Sequence, residues 1–385
     1  MKKVFLKRVL SFWNSKLPPL LVITYYLMSL SNFQAGDWYK DILLFLLSSA
    51  GFGVTGYLIN DWADIKENHL QQRANFMSGV PFYLRFILVL LPLAVAVIPW
   101  HFLLLDKVVA VLLSLQILSY LVYSFYPFRL KERGVAGLIL DAIYAHVLPA
   151  VLVIYAFSKI YRVDVAIGFL GWALVLAYFG VTGVRNILMH QLNDFEDDKK
   201  AGSTTFVVSY GWQNASLLKN RFLVPTEVLL MLGLYFLLPG LRIFCAVFAA
   251  YVVYVFFKES TRIRRMVLHG GEIDYNHYDF LSGVMLNEFY EKWQPVLFLC
   301  IYMFQVPLFR TVLIFHLLVF PLNTLSFYAD AWFIFFLIIL PFKLALRFIW
   351  HHGLLKALTL IYYHTKHAVY WYFYLPIKRR LAGHD

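Results

Sequence analysis

Apolar positions along this chain gather in runs of about 17 to 26 residues, parted by short polar connections. Runs of that length and composition predict membrane-spanning helices, ten in all, at about residues 17–33, 41–59, 83–99, 107–124, 136–156, 166–189, 222–239, 241–257, 295–320 and 331–349. The connections differ in charge. Those after even-numbered helices, with the N-terminus, carry most of the Lys and Arg, including Lys66, Arg85, Lys131, Lys200, Lys219 and Arg265. The opposite connections hold only Lys40, Lys107, Lys159, Arg162 and Arg242. Basic residues accumulate on the cytoplasmic side of a membrane protein, so both termini are expected there. Arg310 is the exception, falling inside the ninth apolar run, where a charge is costly.

Composition agrees, with 61% hydrophobic and 15% charged residues in a chain of 385. An all-α integral membrane protein follows. The formal net charge of +12 would suit nucleic acid, but most of the bases flank apolar runs, where they set orientation and meet anionic membrane lipid. No nucleic-acid-binding motif is present, and no nucleic-acid partner is expected. The two cysteines, Cys245 and Cys300, lie inside apolar runs and support neither a disulfide framework nor a Cys-based metal site. Residues 1–16 read as a basic interfacial helix, 17–320 as the bundle, and 321–385 as an extra transmembrane helix with a basic, aromatic tail suited to a lipid interface. The connection from Lys258 to Trp293 is long and mixed, a candidate cap or acceptor-binding segment in which Glu288 and His277 are conceivable proton acceptors. The two halves show no sequence repeat, which weighs against a repeat-built transporter.

Two acidic clusters stand at helix ends on the same expected face. The first is Asn60-Asp61-Trp62-Ala63-Asp64-Ile65-Lys66-Glu67-Asn68, with Asn60, Asp64 and Asn68 at i, i+4 and i+8 of a continuing helix. The second is Asn193-Asp194-Phe195-Glu196-Asp197-Asp198-Lys199-Lys200, with Asp194 and Asp198 again four apart. Mg²⁺ takes hard oxygen ligands and prefers one or two carboxylates plus water and phosphate oxygens. Two facing acidic ends would therefore hold Mg²⁺ bridged to a diphosphate. Either cluster alone fits a helix simply reaching water; two on one face, with more carboxylates than solvation needs, favour a metal site. A third connection, Tyr123-Ser124-Phe125-Tyr126-Pro127-Phe128-Arg129-Leu130-Lys131, supplies bases for phosphate oxygens, although positive-inside charge alone would also place them.

In order and placement these connections resemble those of the UbiA superfamily of intramembrane prenyltransferases. The first is similar to its Asn-Asp-x-x-Asp-x-x-x-Asp motif, with Asn68 in place of the last Asp. The second is similar to its Asp-x-x-x-Asp motif, followed by Gly202, Thr205 and Gly211. Tyr123 to Lys131 resembles the central stretch of the chlorophyll-synthase-like branch. The Arg-Pro pair of the family is replaced by Arg73-Ala74 with altered spacing.

The resemblance implies a bundle of about nine transmembrane helices, here with an extra C-terminal one. It also implies Mg²⁺-dependent transfer of a prenyl group from a polyprenyl diphosphate to an aromatic or lipid-like hydrophobic acceptor. Asn60, Asp61, Asp64, Asp194 and Asp198 would hold the metal, with Asp64 and Asp198 catalytic. Asn68, Arg73, Tyr123, Tyr126, Arg129, Lys131 and Lys199 would line the substrate site. A UbiA-type terpene cyclase using the same metal site, and an ion-coupled transporter, are the alternative readings.

Overall fold

The computed structural model describes residues 2–31, 38–70, 75–165, 167–268 and 283–352. No strand occurs among them. Residues 1–324 form one compact unit and residues 325–385 a second.

The first unit opens on α1 (Lys2–Leu30), one uninterrupted helix through residue 16, and continues with α2 (Trp38–Ala63) and the short α3 (Ile65–Leu70). Next come α4 (Phe82–Leu103), α5 (Lys107–Ser124), α6 (Val135–Ala142), α7 (Leu148–Ile160), α8 (Gly168–Asn193) and α9 (Phe195–Lys200). A π-helical turn, Ile143–Val147, welds α6 to α7. Beyond these lie α10 (Phe206–Tyr210), α11 (Trp212–Leu218), α12 (Val224–Leu237), α13 (Ile243–Leu268), α14 (Gly283–Glu288), α15 (Gln294–Tyr302) and α16 (Leu308–Val319). Helix α17 (Pro321–His352) begins in the first unit and makes up the described part of the second.

Among the described residues, six helices are long and apolar enough to cross a membrane: Trp38–Ala63, Phe82–Leu103, Lys107–Ser124, Val135–Ile160, Gly168–Asn193 and Trp212–Leu237. The pair Leu308–Val319 and Pro321–Phe335 raises this to seven if counted as one broken span. Residues 17–30 and 243–257 of the expected spans 17–33 and 241–257 fall in α1 and α13, whose ends carry basic residues that lower their hydropathy; residues 32–33 lie outside the described residues. The expected span 295–320 is two helices instead, interrupted at residues 303–307. Pro307 has no N–H to give an α15 that ran on, and it disfavours helix at the residue before it. Arg310 consequently lies exposed in the first turn of α16 rather than in the middle of a span.

Lipid-type packing holds the bundle together. Many large apolar side chains face outward, such as Phe169, Leu229 and Leu91, as expected where the surroundings are hydrocarbon. Inside, small residues let backbones close up. A Cβ at Gly51 would stand 2.5 Å from the Ala96 nitrogen, and one at Gly183 would stand 2.6 Å from the Ala142 Cα. Glycine at these positions brings α2 against α4 and α6 against α8.

The connection before α5 is fastened by Asp106. Its carboxylate accepts from the Val108 and Val109 N–H groups at 3.0 and 2.9 Å and from the Tyr155 hydroxyl at 2.6 Å. The Tyr155 hydrogen bond, followed by that of Val109, holds this carboxyl down at about 2. A depressed folded-state value stabilises the fold above the ordinary carboxylate pKa and loses that contribution as pH falls toward 2. Asp106→Ala is expected to cost about 1 kcal/mol, the usual worth of a helix N-cap, read as a lower melting temperature in detergent at pH 7.

Candidate functional site

Both acidic clusters are built alike. In each, a long helix ends one residue before an Asp and a one- to two-turn helix resumes after it: α2, Asp64, α3 in one case and α8, Asp194, α9 in the other. Helical hydrogen bonding runs through both joints, from Asp64 N to Asn60 O at 2.9 Å and from Asn68 N to Asp64 O at 2.9 Å. The second joint matches it, Asp194 N to His190 O at 3.0 Å and Asp198 N to Asp194 O at 2.9 Å. The i, i+4 spacing therefore survives as a shared face, and Asn60, Asp64, Asn68, Asp194 and Asp198 all line one cavity of about 790 Å³.

The connection after α5 supplies cations to that cavity. Arg129 adopts a left-handed backbone conformation, φ 38° and ψ 54°, uncommon for a residue with a side chain and a form of strain that gathers at functional sites. The turn folds its guanidinium back beneath the end of α2. There it donates to the Ala63 and Ser124 carbonyls at 3.2 and 3.3 Å and to Asp64 Oδ1 at 3.0 Å, and pairs with Glu67 at 3.1 Å and Glu132 at 2.9 Å. Lys131 also bonds to Asp64, and reaches Asn60 Oδ1 at 3.3 Å. Burial works against the Arg129 charge, but Glu132, Asp64 and Glu67 outweigh it and raise its pKa. At Lys131 burial wins over Asp64 and lowers the ammonium's pKa.

Not every expected residue arrives. Asp61 is 2% exposed and does not line the cavity. Its carboxylate accepts from Arg8 at 2.7 Å and from the Phe76 N–H at 3.2 Å, while its carbonyl accepts from Asn75. On a helix a residue three before Asp64 lies about 60° around the axis from it, and here that rotation turns Asp61 toward α1. Lys199 is likewise off the cavity wall, exposed with its ammonium 5.8 Å from the Phe195 ring. Tyr123 and Tyr126 line the cavity, Tyr126 at its exposed rim with the Arg129 guanidinium 5.2 Å from its ring. Arg73 and His277 lie outside the described residues. Glu288 is held by Lys258 at 3.3 Å and Lys292 at 3.0 Å.

The cavity also contains residues that motif spacing does not reveal. Glu67 pairs with Arg129, and Arg8 and Lys16 enter from α1, whose bases read as interfacial in sequence. Farther in stand Asp141 and Tyr144, from the helix that was expected to be an apolar span. A single carboxylate in such a span is itself a signal, because an ion there needs a reason. Below them the walls turn apolar and aromatic, with Phe52, Leu20, Leu152, Phe45 and Trp100.

A helical bundle whose paired acidic helix ends and basic turn share one deep, apolar-bottomed cavity is a multi-pass integral membrane protein of a particular plan. Residues 20–271 match the UbiA prenyltransferase family. The chain belongs to that family. Solved structures of a UbiA homolog from Archaeoglobus fulgidus share the fold. The form bound to DMAPP and Mg²⁺ has a TM-score of 0.53 at 16% identity, covering 80% of this chain and 98% of the homolog. The form bound to GPP and Mg²⁺ has a TM-score of 0.51 at 16% identity, covering 76% and 98%. No curated protein sequence matches the chain.

Proposed function

We propose that this protein is a Mg²⁺-dependent prenyltransferase that moves a prenyl group from a prenyl diphosphate to a hydrophobic acceptor within the membrane. The observation that carries the reading is the single cavity with carboxylates and cations at one end and apolar walls at the other. Such a cavity matches a ligand with a polyanionic head and a hydrocarbon tail. The Archaeoglobus fulgidus homolog, with its bound prenyl diphosphates and Mg²⁺, supports it.

The donor set suits Mg²⁺. Asn60, Asp64, Asn68, Asp194 and Asp198 offer only hard oxygens. Magnesium takes one or two protein carboxylates, with the remaining positions left to phosphate and water. Bound there, the metal would neutralise the diphosphate as it leaves. Arg129 and Lys131, already drawn to Asp64, are placed to take phosphate oxygens and stabilise the same charge. Tyr123, on the cavity wall and in edge contact with Tyr144 at 5.1 Å, would offer its ring to a developing cation. The charge asymmetry of the connections supports a cavity opening on the cytoplasmic side, with both termini there.

Cavity depth sets a donor length. Phe45 lies 19 residues before Asp64 on the same helix, about 28 Å along the axis at 1.5 Å per residue. An extended isoprene unit spans roughly 5 Å, four carbon–carbon bonds of about 1.5 Å. After the diphosphate takes its share, about three to four units fit. The far wall is Trp100, whose indole N–H donates to Ser48 Oγ at 2.8 Å. Trp100→Ala is expected to shift the preferred donor to a chain at least one isoprene longer, measured by competition among C10 to C25 diphosphates.

The test of the function is mass spectrometry of the purified protein in detergent with those donors and a lipid and phenolic extract, with and without Mg²⁺. Mg²⁺-dependent prenylated products are expected. A cyclised hydrocarbon or alcohol with no second substrate would establish the cyclase reading, and the absence of diphosphate release from every donor would overturn both.

A further inference from the structure

We infer that the cavity contains a second polar site, formed by Asp141, Tyr144 and Lys16, which receives the hydroxyl group of the acceptor and passes its proton to Asp141. The inference rests on the prenyl-transfer reading and names the chemistry of the second substrate: a phenol or an alcohol.

Asp141 is 8% exposed, two turns into the apolar helix α6, and what exposure it has is to the cavity. Taking a carboxylate into the interior costs several kcal/mol unless neighbours compensate, and such residues in membrane bundles mark functional positions. Directly after α6 the chain makes its π-helical turn, the kind of bulge found at functional sites. The bulge presents Tyr144 to the cavity, where its hydroxyl donates to Asp141 Oδ1 at 2.5 Å. Tyr123, which lines the cavity with Asp64, is in edge contact with Tyr144 at 5.1 Å, so the second site adjoins the acidic end.

Lys16 completes the group. Its side-chain nitrogen contacts His146 Nε2 at 2.9 Å. Asp141 and Lys16 line the same cavity. An amine and a carboxyl group on the wall of one cavity suit a hydroxyl that donates to one and accepts from the other.

In the reaction the C1–O bond of the donor breaks and its electron pair leaves with diphosphate. The acceptor oxygen supplies the pair for the new bond to C1, and the hydroxyl proton moves to Asp141, to return to water when product leaves. Asp141 is thus a catalytic residue and Tyr144 a positioning residue.

The test uses the full-length protein in detergent with geranylgeranyl diphosphate and Mg²⁺, offering a para-alkylphenol and dodecanol as separate acceptors. Asp141→Asn is expected to lower prenylated product by about 10²-fold or more, the worth of a general base. Transfer is expected to fall much further than acceptor-independent diphosphate release, so that the two steps separate. Asp141→Glu should restore part of the transfer, and Tyr144→Phe should lower transfer more than it lowers diphosphate release; these two variants carry the test if Asp141→Asn does not fold. The two acceptors decide between phenol and alcohol. Three results overturn the inference: unimpaired transfer by Asp141→Asn, a fall in diphosphate release as large as that in transfer, or a wild type that releases diphosphate yet prenylates neither hydroxyl. A wild type that releases no diphosphate would instead sink the transferase reading itself.

Discussion

Asp64→Ala and Asp198→Ala are each expected to lower Mg²⁺-dependent diphosphate release by about 10²–10³-fold, the scale of losing one preorganised electrostatic group, while Asp61→Asn leaves it near wild type. Motif reasoning ranks Asp61 with Asp64; the cavity separates them. Asp64 and Asp198 line the cavity, whereas the Asp61 carboxylate is committed to Arg8 and to the Phe76 N–H. The cost of Asp61→Asn should appear in stability, because it leaves Arg8 without its ion pair. Diphosphate release by the three variants, set beside their melting temperatures, checks this directly. Full loss of release in a folded Asp61→Asn would return Asp61 to the metal site.

Glu227→Ala is expected to destabilise the bundle by about 3–5 kcal/mol, the cost of leaving one member of a buried ion pair uncompensated. Arg185 and Glu227 are both 0% exposed, and the guanidinium donates to both carboxylate oxygens, at 2.5 and 2.9 Å. Its remaining donors go to Asn186, Asn287 and the Gly283 carbonyl. The pair thereby ties α8 to α12 and to the start of α14. Replacing both ends together, Arg185→Met with Glu227→Leu, should recover much of the loss, since two apolar side chains leave no orphaned charge. Thermal unfolding in detergent, followed by size-exclusion chromatography, would show the single variant falling well below the double one. Equal melting temperatures would mean that the ion pair does not hold these helices.

Local pattern predicted several elements closely. The span expected at 107–124 is α5 to the residue, and the i, i+4 faces at Asp64 and Asp194 persist because helical hydrogen bonding passes through both joints. Such features depend on neighbours four residues away, which a sequence displays. The break at 303–307 was also written in the chain, as Pro307, yet the apolar residues on either side masked it.

Hydropathy, the spacing of the acidic clusters and the charge of the connections determined by themselves that this is a helical membrane protein with two acidic helix ends. Which side chains share the cavity was decided only by tertiary structure. Arg8, Lys16, Asp141 and Tyr144 come from helices far apart in sequence, and their meeting depends on how each helix is rotated about its axis. That rotation is fixed by contacts such as Gly51 on Ala96 and Gly183 on Ala142, between residues tens of positions apart. A hydrophobic run in lipid is apolar on every face, so its periodicity does not say which face turns inward. The same degeneracy left Asp61 and Asp64 equivalent on paper, while the fold turns one to Arg8 and the other to the cavity.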